Sequence, residues 1–94
     1  MTGSVSVDSE SIRNGIKVCE AAIDNLKQAS LTLTKQYQDA GSSGWRDDKY
    51  NDLGRLIEQC NGSLNKPIRD LEGSLSKLQQ LLEEVERYES TKII

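Results

Sequence analysis

The 94-residue chain predicts an all-α fold, an antiparallel helical hairpin, and three observations carry that prediction. Apolar residues recur in steps of four and three from Ile12 to Tyr37, the spacing of one helix face. The same period returns from Leu53 to Val85. Between them, just short of the midpoint, Gly41-Ser42-Ser43-Gly44 is the strongest breaker in the chain. Two helical stretches separated by one short breaker make an αα-hairpin.

The first arm opens at Asp8, a cap candidate with Glu10 in the first turn behind it. Its seam is Ile12, Ile16, Cys19, Ile23, Leu26, Leu33 and Tyr37, with Ser30 as a polar interruption. Val18, Ala22 and Ala29 flank the seam and widen the apolar stripe. Gly15 costs a helix about 1 kcal/mol against alanine; it marks either a close approach or a tolerated surface position. The expected helix runs from about 8 to 40, after an extended tail at residues 1 to 7.

The bend is expected at 41 to 45, and the sole Trp of the chain, Trp45, sits at its end. Base rates of burial favour an indole that plugs the bend; the functional alternative is a partly exposed indole forming a recognition groove at the hairpin tip. Asp47 and Asp48 follow, as acidic residues in a first turn suit the helix dipole. The second seam is Leu53, Ile57, Cys60, Leu64, Ile68, Leu71, Leu75, Leu78, Leu82 and Val85, broadened by Leu56 and Leu81. Its weak point is Asn65-Lys66-Pro67, since a proline costs about 3 kcal/mol inside a helix. Either the helix kinks there or it breaks and the fold becomes a three-helix bundle. The apolar phase crosses Pro67 without a shift, which favours one kinked helix from about 46 to 90, before a flexible tail at 91 to 94. The whole chain, 1 to 94, is one domain.

Folding about residues 42 and 43 sets Leu33 opposite Leu53 and Leu26 opposite Cys60. Cys19 and Cys60 are then offset by roughly 10 Å along the axis, too far for a disulfide. Two buried free thiols are expected, with a bond between subunits as the alternative. The longer second arm would overhang the first by roughly 18 Å, leaving Leu78, Leu81, Leu82 and Val85 uncovered. With 35% hydrophobic and 29% charged residues, the chain is lean for a self-sufficient globule. That stripe, with Val18 and Ala22, is therefore expected to be buried in a four-helix bundle with a second copy or a paralogous hairpin. The competing cover is the tail folding back through Val5 and Val7.

Several function classes are disfavoured. A net charge of −3 without a basic stripe speaks against nucleic acid, and no apolar run reaches membrane-spanning length. The N-terminus has neither the basic region nor the apolar core of a cleaved signal peptide, so export is expected to bypass that route. Histidine is absent, removing the commonest metal ligand and general base, and no serine triad can be assembled. Asp47-Asp48 and Glu83-Glu84 are neighbours that point apart on a helix. Gly41-x-x-Gly44 lacks the lysine of a P-loop. A non-enzymatic protein without cofactor or metal is expected.

The stretch Gly44-Trp45-Arg46-Asp47-Asp48-Lys49-Tyr50-Asn51-Asp52-Leu53, in a hairpin of this length, resembles the WXG family. These are the small ESAT-like helical-hairpin proteins exported by type VII secretion systems of Gram-positive bacteria and mycobacteria. The pattern covers essentially the whole chain, and Trp45 carries the motif identity. Asp47 stands where the family has glycine. The family's C-terminal Tyr-x-x-x-Asp/Glu signal is altered, because Tyr88 is followed four residues later by Lys92; Val85 with Glu89 offers a looser hydrophobic and acidic pair. The resemblance implies a dimeric four-helix bundle, secreted itself or accompanying a larger toxin as targeting partner. It also implies that Trp45 and the C-terminal tail form a composite signal read by the secretion ATPase. Two readings compete with export: a cytoplasmic helical adaptor that holds an effector, and a structural coiled-coil segment.

Overall fold

The computed structural model describes residues 8 to 92. Two helices, α1 (Ser9–Ser42) and α2 (Asp48–Lys92), form an antiparallel hairpin within an envelope of 70 × 22 × 16 Å. No strand occurs among the described residues. The expected tail at 1 to 7 and the last two residues lie outside the described region; Thr91 and Lys92, expected in a flexible tail, continue α2.

The start of α1 follows from its sequence. Asp8 is extended and accepts a hydrogen bond from the Ser11 backbone N–H at 2.8 Å, which satisfies one of the orphan donors of the first turn. That bond holds the Asp8 carboxyl below its usual pKa. At the other end the Gly44 N–H donates to the Gly41 carbonyl and the Trp45 N–H to Ala40. Together they make a Schellman cap, with Gly44 supplying the positive φ of 103° that L side chains avoid. Trp45 therefore belongs to the termination of α1, and the bend lies at 43 to 47 rather than 41 to 45. Asp47 starts α2: its Oδ1 accepts from the Tyr50 N–H at 2.9 Å.

α2 runs unbroken through Pro67, which excludes the three-helix alternative. The uninterrupted apolar phase on both sides of the proline gives the reason. Contacts along α1 hold the helix together although Pro67 has no N–H to donate.

The later bend shifts the pairing of the arms. A side chain at Gly41 would overlap Tyr50, and one at Gly54 would overlap Tyr37. Asn61 hydrogen-bonds both Ser30 and Thr34. Leu78 lies 3.6 Å from where a Gly15 Cβ would stand, and Arg13 pairs with Glu86. Each α1 residue thus meets α2 several positions later than a fold about residues 42 and 43 implies. The overhang shrinks accordingly. Leu78, Leu82 and Val85 are half-buried, not uncovered, Leu81 alone of that set is exposed, and only about two turns of α2 extend beyond α1. The Gly15 contact is at ordinary van der Waals distance, so no close approach demands glycine there.

Two residues, Ile12 and Ile23 at 3% and 8% exposure, make up the fully buried hydrophobic core of the described hairpin. Two helices offer each other one stripe apiece, so most seam residues are only half-covered. Ser30 in the seam is compensated: its hydroxyl donates to Asn61 Oδ1 at 2.7 Å, Asn61 Nδ2 donates to Thr34 Oγ1 at 3.0 Å, and the Thr34 hydroxyl returns to the Ser30 carbonyl at 3.0 Å. A partly buried polar layer of this kind is costly to leave half-satisfied, so it ties α1 and α2 to one register.

Candidate functional site: the hairpin tip and the uncharged face

The tip is an aromatic cluster assembled by both helix ends. Tyr37 of α1 and Tyr50 of α2 stack with ring centroids 4.2 Å apart, and Trp45 tilts against Tyr50 at 5.4 Å. The Tyr50 hydroxyl donates to the Tyr37 carbonyl at 2.9 Å. Gly41 and Gly54 make room for the two phenols. Burial, with the adjoining Tyr50 hydroxyl, raises the Tyr37 pKa.

Trp45 is 41% exposed, so it is not the buried plug that base rates favour. The short bend turns its ring outward, and the indole N–H reaches Asp47 Oδ1 at 2.8 Å. One carboxylate oxygen of Asp47 thus caps α2 and fixes the indole at once. Asp47 is thus the residue that orients the tryptophan. Sequence reasoning missed Tyr37 and Tyr50 as partners of Trp45. The signal for them was the pair of glycines, Gly41 and Gly54, each near a tyrosine of the opposite arm.

The two long faces of the hairpin differ in chemistry. One carries the polar contacts between the arms: Arg13 with Glu86, Lys27 with Glu72 at 3.3 Å, and the Ser30–Asn61–Thr34 layer. A groove on this face is lined by Thr34, Gln38, Arg55, Glu58 and Asn61. The other face has an apolar groove at Leu33, Leu56, Cys60 and Leu64, continued toward the tip by Ala40, Leu53 and Ile57. At ~100° per residue, every charged residue of α1, from Glu10 to Asp39, falls on one arc of about 120°. The remainder of α1 is either seam or an uncharged lane through Val18, Ala22, Asn25, Ala29 and Leu33.

Of the residues expected to form a partner stripe, Val18 is 68% exposed on this lane and Leu81 is exposed on the matching flank of α2. Ala22, Leu78, Leu82 and Val85 are half-buried along or beside the seam. Sequence reasoning missed Leu33 and Leu56, which are exposed on the same face. Leu31 is also exposed, on the charged side of α1. Both cysteines are free, as expected, but neither is buried: Cys19 is half-covered and Cys60 exposed, because α1 leaves the flank of α2 open at that level. At the C-terminal end Val85 and Glu89 are half-buried, whereas Tyr88 is exposed. Tyr88 and Glu89 therefore point to different surroundings.

Among the described residues no cluster of carboxylates and thiols is arranged to hold a metal ion, and no helix is long and apolar enough to cross a membrane. Comparison with protein-family models, with characterised proteins and with solved structures returned no match to this chain.

Proposed function

We propose that this chain is a non-enzymatic, WXG-like binding protein that type VII secretion exports, alone or as the targeting partner of a larger effector. It completes its core with a second helical hairpin. The observation that carries this reading is the sparse burial of the hairpin: Ile12 and Ile23 are enclosed, while Val18, Leu33, Leu56 and Leu81 lie open on one side. A two-helix hairpin with that much apolar surface needs a helical partner.

The half-exposed, hydrogen-bonded indole at the tip supports a recognition role for Trp45. An indole with one apolar face and a fixed N–H is well suited to a binding hot spot. The two tasks fall to different parts of the hairpin: the long face pairs, and the tip is read by the export machinery.

The test is Trp45→Ala in a secreting strain, with protein measured in the medium and in the cells. Secretion should fall at least tenfold while the cellular protein stays folded and paired. Undiminished secretion removes Trp45 from the export signal, whereas a protein found only in the cytosol, with or without the substitution, rejects export and favours the adaptor reading.

A further inference from the structure

We propose that Asn61–Gly62 is a modification site. The Asn61 side-chain amide is lost spontaneously to water, the closed hairpin holds that reaction back, and the isoaspartyl link it leaves releases α2 from its register on α1. Neither export nor a helical partner enters into this.

Asparagine followed by glycine undergoes the change most readily, because a glycine nitrogen has no side chain beside it to hinder attack. The Gly62 nitrogen gives up its proton and attacks Asn61 Cγ. The bond from Cγ to the side-chain nitrogen breaks, ammonia leaves, and a succinimide ring closes. Water then adds to either ring carbonyl. One opening gives aspartate; the other routes the main chain through the side-chain carbonyl as isoaspartate. The net change consumes one water, releases ammonia and adds one negative charge to a chain that carries −3. Asn14 and Asn61 precede glycine, whereas Asn25, Asn51 and Asn65 precede Leu26, Asp52 and Lys66.

Gly62 is not required by the fold. Among the described residues the positive-φ glycine is Gly44, and a Cβ at Gly62 would meet nothing within 4 Å. Its glycine weakens the helix and leaves an unhindered nitrogen next to Asn61. The closed structure withholds that nitrogen. Inside α2 it is bound into the helical ladder, its hydrogen directed four residues back along the axis. The amide is held from the other side, where Oδ1 accepts from the Ser30 hydroxyl at 2.7 Å and Nδ2 donates to Thr34 Oγ1 at 3.0 Å. Asn14, exposed on α1, takes no part in that layer.

The held amide sits on the weakest stretch of α2. Asn61, Gly62, Ser63 and Asn65 are poor helix formers, and Pro67 lacks the N–H that would reach the Ser63 carbonyl. From 61 to 67 only Asn61 and Leu64 are half-buried; the rest are exposed. Local opening of the helix is therefore easiest here, and the layer is what opposes it. An isoaspartate formed during an opening cannot close again. Its extra backbone carbon breaks the helical spacing, and its carboxylate has no N–H to offer Thr34.

Peptide mass spectrometry on the full chain, aged at mildly alkaline pH, tests this with Asn14 as the internal reference. Isoaspartate should accumulate at Asn61. Thr34→Val removes the acceptor of Nδ2 and should speed loss at Asn61 about fivefold while Asn14 keeps its rate. Sub-denaturing urea, with the helical circular dichroism intact, should speed Asn61 ahead of Asn14 in the unsubstituted chain. Gly62→Ala should suppress the reaction at Asn61 and keep the helical signal. Chains enriched in isoaspartate at Asn61 should melt at a lower temperature than fresh protein. An Asn61 that moves with Asn14 in both Thr34→Val and urea overturns protection by the hairpin. No loss at Asn61 even in fully denaturing urea overturns the site, and an isoaspartyl chain that melts with the parent overturns the release of α2.

Discussion

Asp47 does two jobs with one oxygen, and the tip depends on it. Its Oδ1 accepts both the Tyr50 backbone N–H that begins α2 and the indole N–H of Trp45. Gly44 supplies the left-handed step just before it. Replacing Asp47 by alanine removes a helix cap worth about 1 kcal/mol and frees the indole. The urea midpoint should fall by a corresponding amount and the Trp45 fluorescence should shift toward that of a solvated indole; Asp47→Asn, which keeps a capping oxygen, should retain most of both. An alanine variant as stable as the parent would show that the cap contributes nothing. The acidic position could be read in the sequence as a favourable first turn. Its second role could not, because the hydrogen bond to Trp45 depends on which way the bend throws the ring.

At the level of the elements, α2 persists through Pro67 because its apolar seam is continuous against α1 on both sides. Tertiary packing outweighs a local penalty of about 3 kcal/mol. Pro67 itself is exposed, so alanine there removes the penalty without emptying a packed site. Pro67→Ala should raise stability by up to about 3 kcal/mol, read as a higher urea midpoint with an unchanged slope. A lower midpoint would mean that the proline shapes the helix in a way alanine cannot. The Ser30–Asn61–Thr34 layer is the counterpart on the seam. The polar interruption at Ser30 was visible in the heptad pattern, but its partners were not, since the register was still open.

For the whole molecule, the asymmetry between a polar, ion-paired face and a face to which α1 brings no charge matters more than the few buried residues. Arg13–Glu86 and Lys27–Glu72 are about half exposed and contribute little stability in water, yet their charges keep one face in solvent. On the proposed pairing through the other face, folding is linked to association, and stability depends on protein concentration. The thermal midpoint should therefore rise by several degrees between micromolar and hundred-micromolar protein, and Leu81→Glu should abolish that dependence. A midpoint independent of concentration in the parent chain would contradict association-linked folding.

Helical period, one breaker and the cap residues Asp8, Gly44 and Asp47 suffice to determine two helices and a hairpin, because these are local preferences repeated over many turns. The segregation of α1 charges was equally present in the sequence, legible on a helical projection. The register, the outward turn of Trp45, the cover over Leu78, Leu82 and Val85, and the openness of Cys60 were decided only by the tertiary structure. A heptad seam fits itself after any slip of seven residues. Only contacts between distant residues, the tyrosine stack, the Asn61 layer and the length of the bend, select one pairing.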